Sequence, residues 1–423
     1  MAATITKPKG TADVYGAQAA LWRYIEGIIH ETAALFALEE MRTPMFENVE
    51  LFVRSVGESS DIVSKEMYTF TDRGERTFAL KPESTATTVR AYIENGLHTL
   101  PMPAKFYYIA PHFRAERPQK GRLRQHHQFG VEFFGTMSAA ADAELISVLH
   151  LFLGRLGVEN FALHINSIGD ADCRKRFNDA LLSYLSGKID SLCSDCRSRM
   201  EKNPMRVLDC KNPACQALIT DAPVPLDYLS DECAAHFAQL QSHLTALNIP
   251  YIVDNRIVRG LDYYNRTVFE FMSTDLGAQS TIGGGGRYDP LLDGGGVGFG
   301  MGIERLIIIL EEQGKLPDIP RDIEVFVGGM GEAGAAKAAQ LTHDLRKAGI
   351  SAISDLNDRS VKAQLKYADK LGAKYAIVIG ENEIENGTVS IKRMRSDEND
   401  NVWTQGVVEV SFNLVVDMFR RKS

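Results

Sequence analysis

In the stretch GGGVGFGMGIERLIIILEEQ, residues 294–313, glycines at 298, 300 and 302 alternate strictly before an apolar helical run begins. Strand side chains alternate between two faces, so these three glycines clear one face of a single strand. A flat ligand could then lie against bare backbone. Dinucleotide folds instead set G-x-G-x-x-G between strand and helix, with an acid about 20 residues further on. No G-x-x-x-x-G-K-[ST] occurs anywhere in the chain, so a nucleotide held here is not held by a P-loop. Arg305 opens the following helix, where unpaired N–H groups and the dipole already favour an anion.

The surrounding segments extend this reading. A helix is expected over 18–38, with Leu21, Ile25, Ile28, Ile29 and Phe36 at helical spacing. An extended stretch follows, in which Pro44 forbids a central ladder position. Between 105 and 135 two aromatic strands flank a basic loop, as in a long hairpin. A further strand is expected at 161–169 and more over 251–271. Beyond residue 321 the pattern alternates strand and helix, which predicts a small α/β domain with a partly parallel sheet. The expected architecture is an α+β catalytic domain on an antiparallel sheet, built from residues 1–169 and 251–320. A helical insertion, 170–250, interrupts it, and an α/β domain, 322–423, closes the chain. At 423 residues, two or three domains are the expected number. No apolar run of about 18 residues exists and no secretory signal opens the chain, so a cytoplasmic location is expected. The net charge of -8 argues against indiscriminate nucleic-acid binding but permits a local basic groove.

Three constellations could carry chemistry. In FRAERPQKGRLRQHHQFGVE, residues 113–132, Arg114 and Glu116 share a face if the strand is regular, and Arg117, Lys120, Arg122 and Arg124 follow. Planar guanidinium forks beside acids suit a zwitterionic or phosphorylated ligand; a solvated hairpin is the bland alternative. In LKPESTAT, residues 80–87, Glu83 precedes a helical run, where an acid most often serves the helix start. In VRGLDYYNRTVFEF, residues 258–271, the first half places Arg259, Asp262, Tyr263 and Tyr264 where a core strand would be apolar.

Four of the six cysteines cluster as C-x2-C-x13-C-x4-C, at Cys193, Cys196, Cys210 and Cys215. That spacing lies in the range of a tetrahedral structural zinc site, with partly buried free thiols as the alternative. A zinc there would clamp the insertion's loop and take no part in the chemistry. In the last domain Lys362, Lys366 and Lys370 recur every four residues, near Lys374, Lys392, Arg393 and Arg395. They form either a solvated helix face or a nucleic-acid contact.

Taken together, TPMFE after a long helix, FRAERPQKGRLRQHHQFGVE and GFGMGIERL resemble motifs 1, 2 and 3 of the class II aminoacyl-tRNA synthetases. RSVGESSDIVSKEMYTF, LKPESTA, VRGLDYYNRTVFEF and GGGGRYDPLL narrow the resemblance to the histidyl-tRNA synthetase family, bacterial type, from about residue 5 to the carboxyl end. LKPEST departs from the expected LRPEGT at Lys81 and Ser84 without touching an assigned role. The resemblance implies a class II synthetase fold with a C-terminal anticodon-binding domain. It also implies ligation of L-histidine to histidine tRNA through a histidyl-adenylate, with ATP and Mg2+ as substrate. By position it implies Arg114 and Arg259 at the α-phosphate, the latter doing work that a metal ion does in relatives. Glu116 would accept from the adenine amino group while Phe129 stacks on the ring; Arg305 would hold the γ-phosphate above a floor containing Gly300 and Gly302. Glu83, Thr85 and Gln128 would hold the histidine ammonium. Glu132 and Tyr264 would read the imidazole, with Tyr263 beside them and Asp262 at most orienting Arg259. Arg117 and Gln119 would read the acceptor end of tRNA, and Lys120 and Arg122 would meet phosphates. A homodimer is implied, packed around Pro44. The competing class is the synthetase-like regulatory subunit of ATP phosphoribosyltransferase, which usually lacks the last domain and erodes the ATP-binding arginines. A biotin or lipoyl ligase would have no use for RGLDYYN.

Overall fold

A computed structural model describes residues 5–57, 60–210, 212–273, 281–319, 323–394 and 407–420. The chain divides into two compact units, Met1–Pro317 and Asp318–Ser423. Arg395 and residues 58–59 lie outside the described residues.

The first unit is organised by an eight-stranded sheet. In chain order its strands are β1 (Glu39–Glu40), β2 (Ala104–Phe113), β3 (Gln125–Phe134), β4 (Phe161–Ser167), β5 (Tyr251–Val253), β6 (Asn265–Ser273), β7 (Thr281–Arg287) and β8 (Gly296–Gly302). In space they run β1-β2-β3-β8-β7-β6-β4-β5. All pairings are antiparallel except those of the short edge strands β1 and β5. The hairpin β2–β3 is the long aromatic pair read from the sequence, with Ala104 opposite Phe134 and Phe113 opposite Gln125.

Strand alternation divides the sheet into two chemically different faces. One buries Phe129, Val131, Phe133, Phe269, Phe271 and Phe299 in an apolar core. Helices α1 (Ala17–Leu35), α3 (Ala139–Arg155) and α4 (Ile303–Glu312) pack there, α2 being Thr85–Glu94. Helix Asp231–Ala246 joins the same core through Phe237, Leu240 and Leu244. The opposite face carries Tyr108, Glu132, Tyr264 and Val268, and it is over this face that chemistry can be built. A separate three-stranded sheet, Phe46–Asn48, Thr77–Leu80 and Thr69–Thr71, packs Phe46 edge-on against Phe70 and Phe78.

Among its described residues the second unit has five strands, in the order Ala352–Ser354, Val325–Gly329, Tyr375–Ile379, Thr388–Arg393, Val407–Ser411. The first three are parallel and the last two antiparallel, the partly parallel sheet expected. No helix among the described residues is long and apolar enough to cross a membrane.

Candidate active site

Two adjoining regions lie on the polar face. The first is an open cleft of about 300 Å³. Arg114 and Glu116 enter it from the end of β2, His126 and Gln128 from β3, Gly300 and Gly302 from β8, Arg305 from α4, and Arg259 and Glu270 from the β6 region. Four guanidiniums thus face three carboxylates, those of Glu116, Glu270 and Glu304. Two of the carboxylates position arginines. Glu116 is 2.6 Å from Arg122 and 3.9 Å from Arg114, and Glu270 forms an ion pair with Arg259. Glu304 is turned toward His127, at 2.9 Å. Arg114 also donates from Nε to the Pro82 carbonyl at 2.9 Å, and Arg305 donates to the Thr281 carbonyl at 2.6 Å. Burial disfavours the Arg259 charge, but Glu270 outweighs it and holds the guanidinium protonated. Preorganised cations in such a cleft stabilise phosphate charge at little reorganisation cost.

The second region is a buried polar cluster beside the cleft on the same face of the sheet. Glu132 is fully buried and accepts from Thr85 Oγ1 at 2.8 Å, from the Tyr108 hydroxyl at 3.4 Å and from the Tyr288 hydroxyl. Burial pushes its carboxyl up to about 8, against the pull of these donors. Glu83 accepts from the first two N–H groups of α2, at Thr85 and Ala86, both at 2.9 Å. The helix-start role therefore coexists with a position in the cluster, and burial again pushes the acid up. The Tyr263 and Tyr264 rings lie tilted against each other at 4.6 Å between centroids, and Tyr263 meets Tyr288 edge-on at 5.7 Å.

Glycine at 298 has a packing reason. A Cβ there would lie 1.7 Å from Glu132 Oε2, so the bare backbone of β8 makes room for the buried acid. Gly300 and Gly302 line the cleft itself. The alternating glycines therefore serve both regions.

Phe129 does not enter the cleft. It is fully buried on the opposite face of β3, 5.2 Å from the Phe152 ring and 5.5 Å from the Phe299 ring. The reason is parity: Gln128 faces the cleft, so its neighbour faces the core. The aromatic group that parity does send to the cleft is His126, two residues before Gln128. Burial, and then Arg114, hold its imidazole down to about 3, hence neutral.

Sequence reasoning missed His126, and it missed Glu270, Tyr108 and Tyr288. Parity from Gln128 would have found the first. The carboxylate paired with Arg259 is Glu270, and Asp262 accepts from Asn203 at 2.8 Å. Arg287, in the same glycine-rich motif, is a structural group, fully buried against Asp142 and Asp289 at 2.8 Å each. Arg117 and Gln119 are exposed in the β2–β3 loop, and backbone bonds between Gln119 and Arg122 close a tight turn there. Lys120 pairs with Glu312 at 2.6 Å. In the insertion, the sulfurs of Cys193, Cys196, Cys210 and Cys215 all lie within 4.8 Å of one another, and those of Cys193 and Cys210 are 3.8 Å apart. Four thiolates at about 2.3 Å from a tetrahedral zinc would be about 3.8 Å apart, so the donor set fits such an ion with little movement.

The family model for histidyl-tRNA synthetase matches residues 10–306, and the model for an anticodon binding domain matches 324–422. A histidine--tRNA ligase of Clostridioides difficile is 48% identical, over 95% of this chain and 97% of its own. One of Thermoanaerobacter pseudethanolicus is 52% identical, over 92% and 94%. The crystal structure of the apo histidyl-tRNA synthetase of S. aureus superposes with a TM-score of 0.82 at 37% identity, covering 99% of this chain and 100% of that one. A Bacillus halodurans structure described as an ATP phosphoribosyltransferase regulatory subunit/histidyl-tRNA synthetase shares the fold, with a TM-score of 0.62 at 21% identity over 89% and 98%.

Proposed function

The chain belongs to the histidyl-tRNA synthetase family and catalyses the ATP-dependent ligation of L-histidine to histidine tRNA; from that premise we propose how its residues divide the work. Arg114 and Arg259 bracket the α-phosphate, Arg305 meets the γ-phosphate, and Glu116 accepts from the adenine amino group. Gly300 and Gly302 form the floor beneath the base, and the neutral ring of His126 supplies the flat face once expected of Phe129. Glu83, Thr85 and Gln128 hold the histidine ammonium. Glu132 and Tyr264 meet the two imidazole nitrogens, and Tyr263 packs beside them.

The observation that carries this reading is Arg259. It reaches into the nucleotide cleft while its guanidinium lies 5.8 Å over the Tyr264 ring. One cation thus borders both regions, where a carboxylate and an α-phosphate would have to meet. The histidine carboxylate oxygen attacks the α-phosphorus, the bond to the bridging oxygen breaks, and pyrophosphate leaves with the electron pair. A terminal ribose hydroxyl of the tRNA then attacks the acyl carbon and AMP leaves. Charge accumulates on the α-phosphate in the first step, so cations fixed there lower its barrier. Reading both imidazole nitrogens rejects isosteres, because an analogue lacking one strands a buried partner.

Histidine-dependent exchange of pyrophosphate into ATP tests this division. Arg259→Ala should depress the exchange rate by about 10²-fold or more while histidine affinity changes little. A change confined to the Michaelis constant would contradict the role. The regulatory-subunit reading has less support: Arg114, Arg259 and Arg305 are all in the cleft and the anticodon-binding domain is present.

Further assignments belong to the same proposal. Residues 1–169 and 251–320 form the catalytic domain, 170–250 the insertion and 322–423 the anticodon-binding domain. Arg117 and Gln119 read the acceptor end, and the Lys362, Lys366 and Lys370 face meets the anticodon. The four cysteines hold a structural zinc. The enzyme is cytoplasmic and works as a homodimer through the sheet beside Pro44, where Phe46 is 50% exposed and Phe70 42%. Sedimentation of the full chain tests the dimer.

A further inference from the structure

We propose that the four-cysteine metal site positions the histidine pocket from a distance, by closing the loop that holds the turns of Asp61 and Asp262. The inference rests on the reading of Cys193, Cys196, Cys210 and Cys215 as a zinc site and deepens it.

The loop between Cys196 and Cys210 spans thirteen residues and contains Asn203 and Arg206. Both leave the insertion for the catalytic domain. Asn203 Nδ2 donates to Asp262 Oδ1 at 2.8 Å, and Arg206 Nη2 donates to Asp61 Oδ2 at 2.5 Å. Arg199, on the helix between the second cysteine and Asn203, donates to the Arg206 carbonyl at 3.2 Å and so braces the turn. Each contacted aspartate leads into substrate-facing residues. Asp262 directly precedes Tyr263 and Tyr264. Asp61 precedes the helical turn Ile62–Glu66, and the Glu66 carbonyl accepts from Ala115 N at 2.7 Å, between Arg114 and Glu116. A cavity of about 590 Å³ lies in between, walled by Asn203 and Met205 on one side and Arg259, Asp262 and Tyr264 on the other.

The metal's part follows from loop closure. A loop held at its ends by one ion has few conformations, whereas four unlinked thiols leave its apex free to move. Backbone donors already point at the sulfurs, Cys193 N at Cys215 Sγ (3.3 Å) and Asn212 N at Cys210 Sγ (3.4 Å), as thiolate ligands require. The ion does no chemistry on the substrate. It orders Asn203 and Arg206, which order Asp262 and Asp61.

The test uses the full-length enzyme as purified. Metal is measured by mass spectrometry, and pyrophosphate exchange gives the histidine KM, the ATP KM and kcat. Zinc is then removed by mercurial titration and chelation and restored as Zn(II). The expected results are one zinc per chain, a histidine KM raised about tenfold on removal with kcat changed less than about twofold, and recovery on re-addition. Asn203→Ala, which touches no cysteine, should keep its zinc and show the same rise. Zinc retained as expected, but removed without effect on the histidine KM, overturns the coupling and leaves the metal site standing. A freshly purified enzyme that carries no zinc and titrates all six cysteines as free thiols after unfolding overturns both. An Asn203→Ala enzyme that raises KM where zinc removal does not also overturns the coupling, because the contact then stands without the metal.

Discussion

Glu132→Gln separates what the buried acid does for binding from what it does to stability. A carboxyl pushed from an ordinary 4.5 up to about 8 prefers its proton in the folded state, so ionising it works against folding. Between pH 4.5 and 8 the folded chain binds more protons at this position than the unfolded chain, so stability falls as pH rises through that window. The loss reaches about 3 kcal/mol at pH 7 but stays under about 1 kcal/mol at pH 5, at ~1.4 kcal/mol per unit. Glutamine is isosteric with the protonated acid and does not titrate. At pH 7 the variant should therefore melt on the order of 5 °C above the parent, at ~2 cal/mol/K per residue over Met1–Pro317. At pH 5 the two should nearly coincide. Calorimetry of the ligand-free enzymes at both pH values measures the difference. Histidine binding should move the other way, weakening by about tenfold or more, because an amide nitrogen replaces one of the two carboxyl oxygens that accept in the pocket. An equal melting difference at both pH values would refute the raised carboxyl, and unchanged histidine affinity would refute its place in the pocket.

Gly298→Ala should lose histidine-dependent exchange or fail to accumulate as soluble protein, since its Cβ would stand 1.7 Å from Glu132 Oε2; a fully active variant would disprove that packing. Phe129→Ala should cost about 3–5 kcal/mol of stability as a core truncation with little change in ATP KM. His126→Ala should do the reverse, raising ATP KM in exchange assays with the melting temperature nearly unchanged. Arg117→Ala with Gln119→Ala should slow transfer to tRNA in single turnover while exchange is untouched, and parallel losses in both assays would remove the acceptor-end role.

Much of the architecture was legible because its signals are local. The two-residue alternation of the β2–β3 hairpin, the strand–helix rhythm after residue 321 and the cysteine spacing each depend on neighbours a few positions away. The motifs placed Arg114, Arg259 and Arg305 within one cleft for the same reason, since each stands at a fixed offset from a strand end. Phe129 shows where motif reading falls short. It has the ring that stacking needs, but one step of strand register turns it into the core and sends His126 to the cleft instead.

What the sequence determined by itself was therefore the order of elements, the family and the arginines Arg114, Arg259 and Arg305 that meet in the cleft. The partners of those residues were left to the tertiary structure. Glu270 on Arg259, Tyr288 on Glu132 and Asn203 on Asp262 are contacts between residues 11, 156 and 59 positions apart. Such pairs form only when strand register and the seating of the insertion bring distant segments together. The raised carboxyl of Glu132 has the same origin, because desolvation depends on everything packed around a group and not on its neighbours in the chain.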